Sequence, residues 1–417
     1  ARIIIIIRRH LPMEKNYTAP GSAVTTTELA IPADDARPLT SAALCSHYFL
    51  FYAILGSYSP FLGLFLEKEL RFGGSQIGSV FSARQLLVAL APPLWGYLSD
   101  RLRVPRILIA AGLAMSGASL LMFNELRIFW QIMALMIVFS FFNAPLAPLI
   151  DSLTLSYSAC SRSRYGRFRS WGSLGFVFVS MCLWLLLRRK VYLGITFWAG
   201  AVFSMLAMLS LPLIPNVAIP RKGFVGRRAF RAFLQRDVLI ITFCGFLGQA
   251  AMMGYYSFFG NYLHAAGFDR QWIGPIWAVG AVAEIPFIFF ADDIIRRIGI
   301  RHVFALGLIG IAIRLFVLSL QPTAAIIIIS QCLHAFTYGA LFIAGLIYVN
   351  KRSPNDLRAS AQTIYCAVLH GAGGILGSLA AGWLVDTFDI RNMMLIHSVV
   401  AAAGLLTLIL FFQPQSD

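Results

Sequence analysis

Charge is what this sequence has least of. Only 12% of its 417 residues are charged and 18 are acidic, against roughly 25% charged in an ordinary soluble domain. With 59% of the chain apolar, there is too little polar surface to coat a globule in water, so a soluble enzyme or binding module is excluded. No Gly-Lys dipeptide occurs, which removes the phosphate-cradling G-x-x-x-x-G-K-[ST] loop and with it an ATP-driven pump in one chain. H-E-x-x-H and G-x-S-x-G are also absent, and with them the common metal and serine hydrolase signatures. The six cysteines, Cys45, Cys160, Cys182, Cys244, Cys332 and Cys366, include no C-x-x-C pair. All but Cys160 fall in apolar runs, where cysteine is a small packing residue rather than a disulfide or metal ligand. No cofactor and no metal are expected.

What is present is length of apolar run. A helix of about 18 or more apolar residues crosses a ~30 Å hydrocarbon layer, and twelve such runs succeed one another between residues 41 and 413. Helix is the form that suits them, because each span must satisfy its own backbone donors and acceptors in lipid. The fold expected is all-α and integral to the membrane, twelve transmembrane helices in two six-helix bundles. The bundles are read at 41–213 and 238–413, joined by a basic linker at 214–237 that contains Pro215, Pro220 and Gly223. Residues 1–40, with Pro12, Pro20, Pro32 and Pro38 and a Thr-rich stretch, read as a disordered cytoplasmic tail. Residues 1–12 precede Met13 and read as translated upstream sequence; residues 414–417 are a short C-terminal tail.

A formal net charge of +16 would suit nucleic acid if it were clustered on one surface. It tracks the loops instead. The first segment and every second loop after it hold 24 of the 34 Lys and Arg residues, among them Arg101, Arg106, Arg167, Arg169, Arg296, Arg301 and Arg352. The opposite loops hold eight, three of them in the single cluster Arg188, Arg189 and Lys190. This is the positive-inside asymmetry of a multi-pass protein of the inner (cytoplasmic) membrane, and it places both termini in the cytoplasm. The partners expected are the lipid bilayer, a small-molecule substrate and protons, with no nucleic acid and a monomeric chain.

The two halves repeat one another weakly. Tyr58-Ser59-x-Phe61 is followed by Phe72-x5-Gly78, and Tyr256-Ser257-Phe258 by Phe268-x5-Gly274, with Ile77 and Ile273 before the glycines. The copies stand at the first-to-second and seventh-to-eighth span junctions, as parallel repeats about an axis along the membrane normal require. The loop after span two runs Gly96-Tyr-Leu-Ser-Asp100-Arg101-Leu-Arg103-Val-Pro-Arg106. It resembles the G-x-x-x-D-R-x-G-R-R signature of the major facilitator superfamily, with Arg103 in place of the second glycine and the following Arg pair broken. A narrower resemblance extends along most of the chain. Ala91-Pro-Pro-Leu-Trp95-Gly96, Pro148-Leu-Ile-Asp151, Tyr165-Gly-Arg167-Phe-Arg169-Ser-Trp171-Gly-Ser173 and Trp277-Ala-Val-Gly-Ala-Val-Ala-Glu284 look like the 3-phenylpropionic acid transporter family, which is similar to the oligosaccharide:proton symporters. Arg314 and Leu333-His334-Ala-Phe-Thr-Tyr-Gly339 fall at matching places. The resemblance implies two bundles around a central cavity that opens alternately to each side.

Ionisable groups deep in a span cost about 2.5–3.5 kcal/mol even on the most lenient scale, so they carry function by default. Glu284 is the one acidic residue well inside a span; Arg84 and Arg314 are the cations there. Glu284 and Arg314 stand at similar depth on spans eight and nine and are expected to pair. With His334 on span ten they form the expected proton-coupling set, against the plainer reading of a permanent structural ion pair. Arg84 is the expected donor to a carboxylate substrate, or else a cation snorkelling to the interface. Asn143, Gln249, Tyr255, Tyr256 and Tyr58 add hydrogen bonds and aromatic faces for substrate, though most aromatics in such a chain simply pack. Asp100, Arg101, Asp151, Arg167 and Arg169 make up an expected cytoplasmic gate, with an ion pair from Asp151 to Arg167 or Arg169 across a short loop. The function expected is secondary active transport by alternating access, proton-coupled uptake of an aromatic or other carboxylate, with a sugar or nucleoside as the alternative. A sensor or a membrane-embedded enzyme on the same fold is the different class to be discriminated.

Overall fold

The computed structural model describes residues 38–102, 104–161, 165–214, 233–354 and 357–412. The tail read at 1–40 lies outside them but for its last three residues, as do Arg103, most of the linker and the last residues after 412. All regular structure among the described residues is helical. Eleven helices are long and apolar enough to cross a membrane: Thr40–Lys68, Gly74–Leu102, Pro105–Met122, Phe129–Ser158, Gly166–Leu187, Ile195–Leu213, Arg236–Ala265, Ile300–Ser319, Ala324–Arg352, Ser360–Thr387 and Ile390–Phe411. The helix Ile273–Ile298 stands between the seventh and the next of these, in the place expected for an eighth. In chain order they are helices one to twelve. Large apolar side chains such as Trp130, Leu209, Ile329 and Val399 are more than half exposed around the outside, which lipid accommodates and water does not. The chain is a multi-pass membrane protein.

Proline and local chemistry set the departures from straight helices. Helix one breaks between Tyr58 and Leu62 around Pro60, and helix four between Asn143 and Leu146 around Pro145, because the ring clashes with the preceding turn and removes a donor. Pro92 and Pro93 lie inside helix two, and Pro286 inside helix eight. Helix eight stops at Gly299, whose φ of +82° is open to glycine at little cost. Helices ten and eleven each contain a π-helical segment, Ala335–Ile343 and Ala367–Gly373, a form that concentrates at functional sites.

Packing obeys the repeat seen in the sequence. Helix one packs on five and six, three on six and four, and two on four; helix seven packs on eleven and twelve, nine on twelve and ten, and eight on ten. Each pairing in the first six recurs six helices later, which is the parallel two-fold relation. The halves meet where helix two lies on eleven, five on eight, and the end of one on seven. Gly78 and Gly274, the repeated glycines, both sit on these contacts. A Cβ on Gly78 would press on the Ser378 carbonyl and stand 3.0 Å from Gly382 Cα, and one on Gly274 would stand 3.2 Å from the Ser180 carbonyl. These contacts lie toward the face opposite the chain ends and the Arg-rich loops. On the basic side, Gly96 and Gly166 have nothing within 4 Å of where a Cβ would stand, so neither glycine marks a close approach there.

Candidate functional site

A polar cluster lies inside the second half, formed by helices seven, eight, nine and ten. Arg314, from helix nine, is 1% exposed. Its Nη2 donates to the Tyr255 hydroxyl at 2.6 Å and to Gln331 Oε1 at 2.5 Å, and its Nη1 meets His334 Nδ1 at 3.3 Å. The guanidinium also lies over the Tyr255 ring, 4.1 Å from its centroid. Tyr255 in turn donates to Gln331 Oε1 at 2.7 Å. Hydrogen bonds to a charged group contribute about 1.5–3 kcal/mol each, so three of them offset the cost of burying a charge in a span, with no carboxylate in contact among the described residues.

That changes one expectation. Glu284 and Arg314 do not pair directly; His334 stands between them, with its Nε2 3.9 Å from Glu284 Oε2. The order is Arg314, His334, Glu284, and the imidazole is reached because Gly280 on helix eight leaves room for His334 Cβ, 3.3 Å from where a Cβ would be. The side chains of Glu284 and His334 are 18% and 16% exposed, so these two members of the cluster are partly open while Arg314 is sealed. Tyr256 stacks on Trp277 at 5.8 Å between centroids and meets the His334 ring edge-on at 6.2 Å, giving the cluster an aromatic wall.

A second group spans the two halves. Gln249 Nε2 lies 3.2 Å from His370 Nδ1, and the His370 ring is 5.1 Å from that of Phe342. Arg84, half-buried on helix two of the first half, is close enough to act electrostatically on His370. Arg84 makes no hydrogen bond or ion pair among the described residues. Nearby, Gly371 of helix eleven faces Ala89 and Gly374 faces Gln85 of helix two.

The remaining expected residues are placed apart from these clusters. Tyr58 is 2% exposed and packs edge-on against Phe139 at 5.1 Å, inside the first half, as a core residue. Asn143 is half-buried at the break in helix four. Of the gate residues, Asp151 accepts a hydrogen bond from the Tyr48 hydroxyl at 2.6 Å, and Arg169 lies over the Tyr52 ring at 4.1 Å. Arg167 is exposed with no carboxylate at ion-pair distance among the described residues, so of the two arginines expected to face Asp151 it is Arg169 that lies at the buried side, against helix one. Asp100 is half-buried and Arg101 exposed. Gln331 and Trp277 were not singled out by the sequence as site residues. Gln331 lies three residues before His334, on the same helix face, and Trp277 lies seven before Glu284, a two-turn spacing.

No group of three or more His, Cys, Asp or Glu able to hold a metal occurs among the described residues. Comparison with known proteins points the same way as the geometry. The chain is 28% identical to the uncharacterized transporter YwbF of Bacillus subtilis, over 87% of this chain and 91% of that protein. It is 26% identical to a maltose permease of Geobacillus stearothermophilus, over 87% and 92%. It is also 26% identical to a probable 3-phenylpropionic acid transporter of Escherichia coli, over 81% and 89%. Among solved structures it resembles the nucleoside transporter NupG, with a TM-score of 0.81 at 20% identity over 91% of this chain and 100% of that one. The family described as MFS_1 like matches residues 42–396, and the chain belongs to that family of major facilitators.

Proposed function

We propose that this protein is a secondary active transporter that takes up a small organic solute across the cytoplasmic membrane together with a proton, with Glu284 as the proton-carrying group. The observation that carries the reading is the order Arg314, His334, Glu284 across helices nine, ten and eight. Arginine has donors and no acceptor, so His334 Nδ1 receives the bond from Arg314 and the neutral ring keeps its proton on Nε2, toward Glu284. A proton added at Nδ1 would expel the guanidinium. A proton added to Glu284 leaves the Arg314–His334 bond intact and removes the negative charge that draws Nε2. At 3.9 Å the two are beyond a hydrogen bond, a gap that one water or a small shift of helix eight against ten closes. Loading and release of Glu284 therefore change the pull between those helices, which is the kind of bias that rocking of the two halves requires.

The solute is best read as an organic carboxylate. Arg84 is a cation within a span and without a counter-charge among the described residues, on the opposite half from the proton group, and the Tyr256–Trp277 pair supplies a flat aromatic wall. A sugar or nucleoside is the second reading. It is favoured by the same wall, on which a base or a sugar face stacks, and by relatives named for maltose and nucleosides. The basic face is taken as cytoplasmic, with both chain ends there, and the chain as monomeric. A carrier is favoured over an enzyme because the similar proteins are named as transporters and permeases.

The test is transport in proteoliposomes. With an imposed pH gradient, wild-type protein accumulates the solute uphill, while Glu284→Gln loses accumulation and keeps exchange down the solute's own gradient. Full proton-driven accumulation in that variant overturns the assignment of Glu284. Product formation without accumulation overturns transport itself. A thermal-shift screen across aromatic acids, sugars and nucleosides names the solute class.

A further inference from the structure

We infer that Asp386 is the outer latch of the transport cycle, a carboxylate of the second half that caps helix two of the first half and must let go each time the outer face opens. The inference rests on the proposed alternation of access. Helix two begins at Gly74 with no acidic residue in its first turn, and the first donors of a helix have no partner within it. Asp386, near the end of helix eleven, supplies both missing acceptors. Its Oδ1 accepts from Gly74 N at 2.5 Å and its Oδ2 from Ser75 N at 2.7 Å. An anion at that position also meets the positive end of the helix dipole. Gly74 makes the approach possible, because a Cβ there would lie 2.8 Å from Asp386 Oδ1 and 2.6 Å from the Gly382 carbonyl.

A second contact on the same face is built the other way round. Glu67 of the first half accepts from Asn261 Nδ2 of the second at 2.5 Å, and Asn261 Nδ2 also reaches the Gly63 carbonyl at 3.1 Å. Each half thus lends one carboxylate to the other. Between the two contacts lies a pocket of about 290 Å³ lined by Glu67, Phe72, Gly74, Asn261, His264 and Asp389 among others. The latch is of a strength that suits a moving part. Asp386 is exposed, and loss of a helix cap shifts an equilibrium by roughly threefold to thirtyfold, enough to favour the closed outer face and too little to forbid opening. A bond serving only stability has no need to join halves that separate.

Labelling tests the latch without any solute, so its outcome is independent of whether the solute or the proton site has been named correctly. Ser378, wholly buried on helix eleven where it faces helix two, is replaced by the near-isosteric cysteine, and a membrane-impermeant maleimide is applied from outside to right-side-out vesicles. The rate is taken over that of protein with native cysteines only. Asp386→Ala should raise it by roughly threefold to thirtyfold, and Asp386→Asn, which keeps one neutral acceptor, should raise it less. In inverted vesicles, labelling of native Cys366 on the basic half of helix eleven should fall in the same order. A rise on both sides means general loosening and overturns the latch. Unchanged outer labelling in Asp386→Ala overturns it as well.

Discussion

Tyr48 and Asp151 are joined at 2.6 Å between helices one and four, and the second half contains the same bond with its roles exchanged. There Tyr348, on helix ten, donates to Asp237 at the start of helix seven, also at 2.6 Å, and Arg352 holds the same carboxylate at 2.7 Å. The first and fourth helices of each half are thus tied near the basic face, with the carboxylate on the fourth helix in one half and on the first in the other.

Removing the hydroxyl should be worse than neutralising the acid. Tyr48→Phe loses a bond to a charged group, worth about 1.5–3 kcal/mol, whereas Asp151→Asn retains a neutral acceptor. Thermal unfolding in detergent is expected to fall in that order. Solute exchange in Asp151→Asn should slow more than its stability drops; exchange at the wild-type rate removes Asp151 from the cycle.

Arg84 is expected to set apparent affinity for an anionic solute. Lysine keeps the charge but loses the planar fork, so Arg84→Lys should raise the KM for a carboxylate by about tenfold, the equivalent of about 1.4 kcal/mol, with less effect on the maximal rate. Arg84→Ala with an unaltered KM returns the residue to snorkelling.

His334→Asn separates binding from coupling. The amide oxygen of asparagine accepts from Arg314 as Nδ1 does, but the shorter side chain presents nothing toward Glu284. Protein levels should hold, exchange should persist, and uphill accumulation should fall at least tenfold. Coupled accumulation at the wild-type level would show that the imidazole is not needed between the two charges.

The repeated glycines should differ in tolerance. Gly78→Ala places a methyl against the backbone of helix eleven, whereas Gly274→Ala meets its nearest atoms at 3.2–3.3 Å, a gap that a slight shift of helix eight accommodates. The first should lower exchange several-fold by holding the outer face apart, and the second should be near wild type. Equal effects would mean that the helix two contact has no special closeness.

The repeat was legible because it is written in side chains that contact demands. Gly78 and Gly274 recur since both stand where one half presses on the other, and no larger residue fits Gly78. Glu284, Arg314 and His334 were legible because charge in an apolar run has few explanations. Their order was not, since depth along a helix says nothing of rotation about it, and only the packing of Gly280 on His334 puts the imidazole in the middle. Tyr58 misled for a related reason: an aromatic in a span faces either a cleft or a core, and composition is the same for both. Asp386 stood just past the expected end of span eleven, where an acid looks like ordinary loop polarity, and its partners are backbone amides that no sequence pattern displays.

The π-helical segments of helices ten and eleven have a mechanical consequence. A π turn holds one residue more than the α turn it replaces, so tightening Ala335–Ile343 into an α-helix would rotate the rest of helix ten by about 100°. That remainder is Ala344–Arg352, which carries the tyrosine and arginine that grip Asp237. His334, at the head of the segment, and the grip at its foot therefore form the two ends of a torsion rod, and winding at one end is felt at the other without either helix leaving its place in the bilayer.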